Sequence, residues 1–376
     1  MSPLFTLLWG DERRAAELAA KLLQKDWQTL DIQATQHRLR PLLHQRRKAG
    51  EWPAPPDLIE QWQASYQRSG IRTLGQKAAL TQIGAALAAA NLSATVLKGG
   101  ALIWSNGHDP ALRPMRDIDL LIEPAQAGRV FEALSQAGYT GGGIEPLNSA
   151  KHLPPLVARQ STVELHLHLF DTHDDAAAAR EREFAARVRQ RVQAAAVPGL
   201  FATGATDTLL HLILHAVLDH QFNNGPLLLS DMQLLIGSGK IDWPLFWDEA
   251  DRLEATRACQ LALGLGHELT GIAVDWRLHA PFRPDPALAE RITRLMLVDE
   301  ARRSVVGWPG QLLRLSPLRW PRLLLQMLRR RIARENSGDA SESATGFGGA
   351  IGKALGAQGR SDIADAVRLS LWLKRE

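Results

Sequence analysis

Two carboxylates one residue apart open the run "RDIDLLI", residues 116–122. If the run is a strand, Asp117, Asp119 and Leu121 share one face, and Ile118, Leu120 and Ile122 share the other. Two anions this close repel each other. In apolar surroundings their burial is costly unless a cation or a basic side chain lies between them. Something positive is therefore expected beside them. A third acid stands on a later alternating run, "TVELHLHLF", residues 162–170. There Val163, Leu165, Leu167 and Leu169 face one way, while Glu164, His166 and His168 face the other. Should this run pair beside the first, three carboxylates converge. Such hard oxygen donors suit Mg²⁺ or Mn²⁺, completed by waters and phosphate oxygens. Two such ions can clamp a phosphoryl group and activate an attacking hydroxyl.

The double glycine Gly99 and Gly100 fits the same chemistry. A glycine pair between strand and helix lets backbone amides approach an anion, and the helix N-terminus adds a favourable partial charge. Lys98, Arg113 and Arg116 flank the segment and are candidate phosphate ligands. By itself a Gly-Gly pair signals only a tight turn.

These residues need strands to hold them. "SATVLK" reads as a short strand before the glycines, and "ALIWSN" as the start of a helix. "PAQAGRVFEALSQAGY" has helical periodicity, with Pro near its first turn and Gly138 at its end. Strand, helix, strand, helix, strand thus follow within a small α/β unit placed at residues 93–175. Residues 1–92 read as helical, with apolar residues three and four apart in "IRTLGQKAALTQIGAALAAANL" and a break at "GEWPAPPD". Residues 176–308 read as helical again. A basic amphipathic segment (309–334), a Gly/Ser/acid-rich linker (335–349) and a C-terminal helix (350–376) complete the expected organisation.

Composition narrows the class. A chain of 376 residues with 45% hydrophobic and 22% charged residues is globular, neither disordered nor an integral membrane protein. The opening "MSPLFTLLWGDERR" has no basic region before its apolar stretch and no small-residue cleavage site after it. A cytoplasmic protein is the expectation. The one cysteine, Cys259, excludes an internal disulfide and a thiolate metal cluster. The net charge of +4 is modest, but residues 312–334 hold seven arginines and no acid. That segment suits an anionic membrane or a nucleic acid, or a partly buried helix with a solvated arginine face.

Taken together, "VLKGGAL", "LRPMRDIDLLI", "LSQAGY" and "VELHLHL" resemble the uncharacterised nucleotidyltransferase family of the polymerase-β superfamily. The resemblance is specific over about residues 94–170 and continues more weakly through "LLLSDMQLLI" and "IDWPLFWDEA". It implies an α+β fold, a small α/β core with a mixed sheet embedded in a predominantly helical chain. It implies that the Gly99–Gly100 turn binds a nucleoside triphosphate, that Asp117 and Asp119 hold two Mg²⁺ or Mn²⁺ ions, and that Glu164 completes the catalytic set. The implied reaction moves a nucleoside monophosphate from the triphosphate to a hydroxyl of an unidentified acceptor, a small molecule, peptide, protein or RNA. Pyrophosphate is released. Lys98, Arg113, Arg116 and His166 are expected around the nucleotide. The chain departs from the compact superfamily pattern in the sixteen residues between Gly100 and Asp117, and in having Glu as its third acid.

Other readings stand beside this one. Asp117 and Asp119 could cap loop amides or pair with Arg113 and Arg116, and Glu164 could face solvent on an edge strand. A regulatory or toxin-system protein could keep the nucleotide site without turnover. His211, His215 and Asp219 fall four apart in "TDTLLHLILHAVLDH" and, with the His166/His168 pair, could begin a zinc hydrolase site. That helix lacks the glutamate of a metalloprotease.

Overall fold

The computed structural model describes residues 2–103, 109–141, 151–158, 161–172, 174–277, 279–300, 302–303, 306 and 356–374. The arginine-rich segment 312–334 and the linker 335–349 lie outside the described residues.

The chain begins with helices α1 (Pro3–Trp9), α2 (Glu12–Ala19), α3 (Gln24–Gln36), α4 (Arg40–Gly50) and the long α5 (Pro56–Ala89). The apolar opening stretch is core: Leu4, Phe5, Leu7 and Leu8 of α1 are all buried. Trp27, Trp52 and Trp62 gather with ring centroids 6.1 Å apart. The Trp62 indole donates to Asp31 Oδ1 at 2.8 Å, and Asp31 also pairs with Arg40. A buried carboxylate matched by a guanidinium and an indole N–H ties α3, α4 and α5 together.

A seven-stranded mixed sheet follows. Its strands are β1 (Ala94–Val96), β2 (Asp117–Leu121), β3 (Thr140–Gly141), β4 (Leu156–Ala158), β5 (Ser161–His166), β6 (Gln193–Ala194) and β7 (Leu200–Ala202). They are ordered β3-β4-β5-β2-β1-β7-β6. β2 runs antiparallel to β1 and parallel to β5, and β7 runs parallel to β1. Between them lie α6 (Lys98–Leu102), α7 (Ala127–Gln136) and α8 (Asp175–Arg191). The sheet thus extends to Ala202, past residue 175.

Helices α9 (Ala205–Leu214), α10 (Leu227–Gly237), α11 (Trp243–Arg252), α12 (Thr256–Thr270), α13 (Pro286–Met296) and α14 (Ala357–Leu373) complete the described chain. A π-helical turn, His215–Asp219, follows α9 directly. Asp174, Asp242 and Asp285 cap α8, α11 and α13 through their side chains. No helix of the described residues is long and apolar enough to cross a membrane.

Two apolar cores flank the sheet. Ile118, Leu120, Ile122, Val163, Leu165 and Leu167 join the second half of α5 and all of α7 in one. Leu97, Leu121 and Leu169 join the helical core formed by α1–α4 and α8–α13. The sheet's polar face therefore looks toward the helices. Alternation in "TVELHLHLF" holds through Leu167 and then fails. β5 ends at His166, and Leu169 turns into the helical core, away from the face of Val163, Leu165 and Leu167. Glu181 of α8 draws the chain there by accepting from the Leu169 amide at 2.7 Å.

Candidate active site

The strand register does most of the assembly. Parallel pairing of β2 with β5 sets Asp119 directly opposite Glu164 and Leu121 opposite His166, while Asp117 lies one pleat back opposite Thr162. His166 Nε2 lies 2.8 Å from Asp119 Oδ1 and 3.6 Å from Glu164 Oε2. Among the described residues, Asp119, Glu164 and His166 form a group whose donor atoms all lie within 4.8 Å of one another, close enough to hold a metal ion. The donor set fits Mn²⁺ or Mg²⁺: two hard carboxylates with an imidazole that can ligate or orient Asp119.

Electrostatics sharpen the point. Burial, then repulsion from Asp119 and Glu164, raises the Asp117 carboxyl to about 6. Among the described residues the Asp117 side chain has no hydrogen bond or ion pair. Asp119 is held well below the usual carboxylate range although burial opposes this, because Lys98 and His166 both favour its charged form. Three acids therefore share one bonded lysine, with Arg38 and the His152 and His166 imidazoles around them, leaving negative charge for a cation to offset.

Lys98 is the basic side chain that the paired acids called for. Its ammonium donates to Asp119 Oδ1 at 2.7 Å, from a backbone with φ +48° at the start of α6. The glycines after it are helical rather than a free loop. A Cβ on Gly99 would come within 2.6 Å of the Met115 sulfur, so any larger residue would have to displace that side chain where α6 meets the segment before β2. Gly99 lines the cleft over the acids, and Gly100 packs against Val96.

Arg113 and Arg116 stand at the cleft with carboxylates of their own. Arg113 is bidentate to Asp231 of α10, at 2.6 and 3.0 Å. Arg116 forms a forked pair with Glu300. A lone acid in the apolar run "LLLSDMQLLI" was a legible sign that Asp231 needs a buried partner. His168 leaves the polar strand face to meet Glu181 at 2.9 Å.

The wall opposite the sheet holds the other histidines. His211 Nε2 lies 3.0 Å from the Leu169 carbonyl. Lys151 pairs with Asp219 and lies 3.2 Å from His215 Nδ1, while His215 Nδ1 is 3.0 Å from Asp219. An ammonium thus sits on both groups that a zinc ion would share. Among the described residues His211, His215 and Asp219 do not form a metal-capable group. Burial, with Lys98 and Lys151 nearby, holds His215 well below its ordinary value, so it is neutral.

Sheet and wall enclose a cavity of about 160 Å³, lined by Lys98, Gly99, Asp117, Asp119, His215 and Arg38, among others. Arg38 carried no signal in the sequence. It occupies the joint between α3 and α4 at φ +60°, and only the fold brings it to the acids.

A family model of uncharacterised nucleotidyltransferases matches residues 24–271. The chain belongs to that family. No curated protein and no solved structure matches it. The span shared with these nucleotidyltransferases starts at α3 and ends after α12, so it takes in Arg38, all seven strands and the helical wall. The family unit is thus the whole cleft, not only the strands that carry the acids.

Proposed function

We propose that this nucleotidyltransferase transfers a nucleoside monophosphate from a nucleoside triphosphate to a hydroxyl of an acceptor, with release of pyrophosphate. The observation that carries the reading is the register that sets Asp119 opposite Glu164, with Asp117 and His166 on the same face. Asp117, Asp119 and Glu164 would hold two Mg²⁺ or Mn²⁺ ions. When bound, these ions supply charge neutralisation at the triphosphate and a lowered pKa for the attacking hydroxyl.

The chain's own groups do the rest. Glu164 accepts the hydroxyl proton as the acceptor oxygen forms its bond to the α-phosphorus. The bond from that phosphorus to the α,β-bridging oxygen breaks, and its electron pair leaves with pyrophosphate. His166 fixes the Asp119 carboxylate through Oδ1. Lys98, anchored on Asp119, and the backbone at Gly99 orient the phosphates. Positioning and charge complementarity supply most of the acceleration. The wall carrying His215, Leu227 and Leu228 faces the acids across the cleft and selects the acceptor.

Thermal stability of the wild type and Asp119→Asn, with Mg²⁺ or Mn²⁺ and each of ATP, GTP, CTP and UTP, tests the reading. A metal-dependent rise in Tm with one nucleotide, lost in the variant, supports it and names the donor. No rise with any nucleotide at saturating concentration sinks it.

A further inference from the structure

Arg38 has donors and, among the described residues, no anion bonded to them. Its Nη1 reaches the Pro114 carbonyl at 3.5 Å, its Nε is buried with no acceptor, and among the described residues no carboxylate pairs with it. Every other basic group on the cavity has one: Lys98 has Asp119, Arg113 has Asp231, Arg116 has Glu300. Around Arg38 the charges are mostly positive, with Asp117 and Glu300 offsetting part of them. Burial, then Arg116, Arg113 and Arg303, lowers its guanidinium to about 9. Arg303 is itself turned to His37, Nη2 to Nδ1 at 2.7 Å, against the backbone of Gly225. Asn224 lines the same cavity with its Oδ1 buried and unpaired.

One cavity thus has carboxylates short of a cation and, near Asp117, a guanidinium with no bonded anion. Leaving a buried charge unpaired is costly, and a guanidinium fork matches phosphate oxygens in geometry as well as charge. A ligand that brings a divalent cation to the acids and a polyphosphate to Arg38 relieves both deficits. We infer that Arg38 is a binding residue for the β- and γ-phosphates of the triphosphate, the part that leaves as pyrophosphate. The N-terminal helices are then part of the donor site. This rests on the nucleotidyltransferase reading above, in which the electron pair of the broken bond ends on pyrophosphate. Arg38 is placed to hold that added charge.

Calorimetric titration of wild type, Arg38→Gln and Arg38→Lys with Mg²⁺ and inorganic pyrophosphate, then the donor triphosphate and its monophosphate, tests the inference. Arg38→Gln should weaken pyrophosphate and triphosphate binding roughly 10- to 100-fold and leave the monophosphate within about 3-fold. Arg38→Lys keeps the charge but loses the fork, so it should recover part of the loss. Arg38→Gln should melt at or above the wild type, since burial and the neighbouring arginines oppose the guanidinium charge more than Asp117 supports it. Equal binding of pyrophosphate and triphosphate by wild type and Arg38→Gln overturns the role of Arg38 and leaves the transferase reading intact. If the wild type binds pyrophosphate in an Arg38-dependent way and no triphosphate, the anion site stands and the donor reading falls. Binding of neither by the wild type overturns both.

Discussion

Lys98 and Asp119 share a buried hydrogen-bonded ion pair at 2.7 Å in the floor of the cleft, and each depends on the other for its charge. Asp119 is therefore structural as well as a candidate ligand. Asp119→Asn should abolish transfer and also cost about 1–3 kcal/mol, because Lys98 loses its partner. Denaturant unfolding of Asp119→Asn, Lys98→Met and the double variant checks this. A coupling energy above about 0.5 kcal/mol is expected, and strict additivity would refute the pair.

Asp117 should behave oppositely. Repulsion from Asp119 and Glu164 outweighs the attraction of Lys98 and Arg38, and among the described residues no group donates to its side chain. In EDTA, Asp117→Asn should melt higher than the wild type by about 1 kcal/mol in unfolding free energy. With Mg²⁺ and the donor triphosphate the order should reverse, because the wild type alone gains the ligand. A variant that melts lower in EDTA would point to a structural role for Asp117.

Glu164→Gln separates binding from turnover. The amide keeps the shape of the side chain but cannot take a proton, so kcat should fall by about 10²–10⁴-fold. Triphosphate affinity should stay within a few-fold. Unchanged turnover would remove Glu164 from the proton's path.

Removing Asp231 strands a charge. Arg113 is buried against it, so Asp231→Ala should cost about 3–5 kcal/mol. Replacing both residues, Arg113→Met with Asp231→Leu, should recover much of that loss. Urea unfolding of the three proteins gives the comparison.

The histidines set the acid limit. Burial lowers His37 and His220 from 6.5 to about 4, and His211 to about 3. Below pH 6.5 the unfolded chain binds protons that the folded chain refuses. Stability is therefore full above about pH 6.5 and is lost as pH falls toward 4. A shift of this size is worth on the order of 3 kcal/mol for one histidine. His220→Phe, which keeps a ring against His215, should flatten the profile between pH 6.5 and 4.5. Parallel wild-type and variant curves would exclude His220 as a source of the loss.

Much of the site was legible in the sequence because it is written in period two. Asp117 and Asp119 on one strand and Glu164 on another needed only a shared sheet face, and β2 beside β5 provides it. The helix α7 was readable from periodicity and the strand β1 from the β-branched Thr95 and Val96 ahead of the glycines. The sheet's far edge was not, because β6 and β7 have two and three residues, too few to show alternation. His168 and Leu169 were assigned by extending a pattern past the point where Glu181 bends the chain. Arg38 was invisible for another reason. Its meaning depends on Pro114, Arg116 and Asp117, which approach it only through tertiary contact.

The helix α5 has 34 residues, about 50 Å at the usual rise. Leu58 and Trp62 near its start belong to the helical core, and Leu80, Ile83 and Leu87 near its end belong to the core beneath the sheet. Toward that end Gly84 lies so close to the Val197–Leu200 turn that a Cβ there would meet Val197 at 2.5 Å. One rod is thus the spine of both halves, and neither half can melt without exposing part of the other's spine. Heating should give a single calorimetric transition, with amide protons of α5 around Trp62 and Ile83 among the last to exchange.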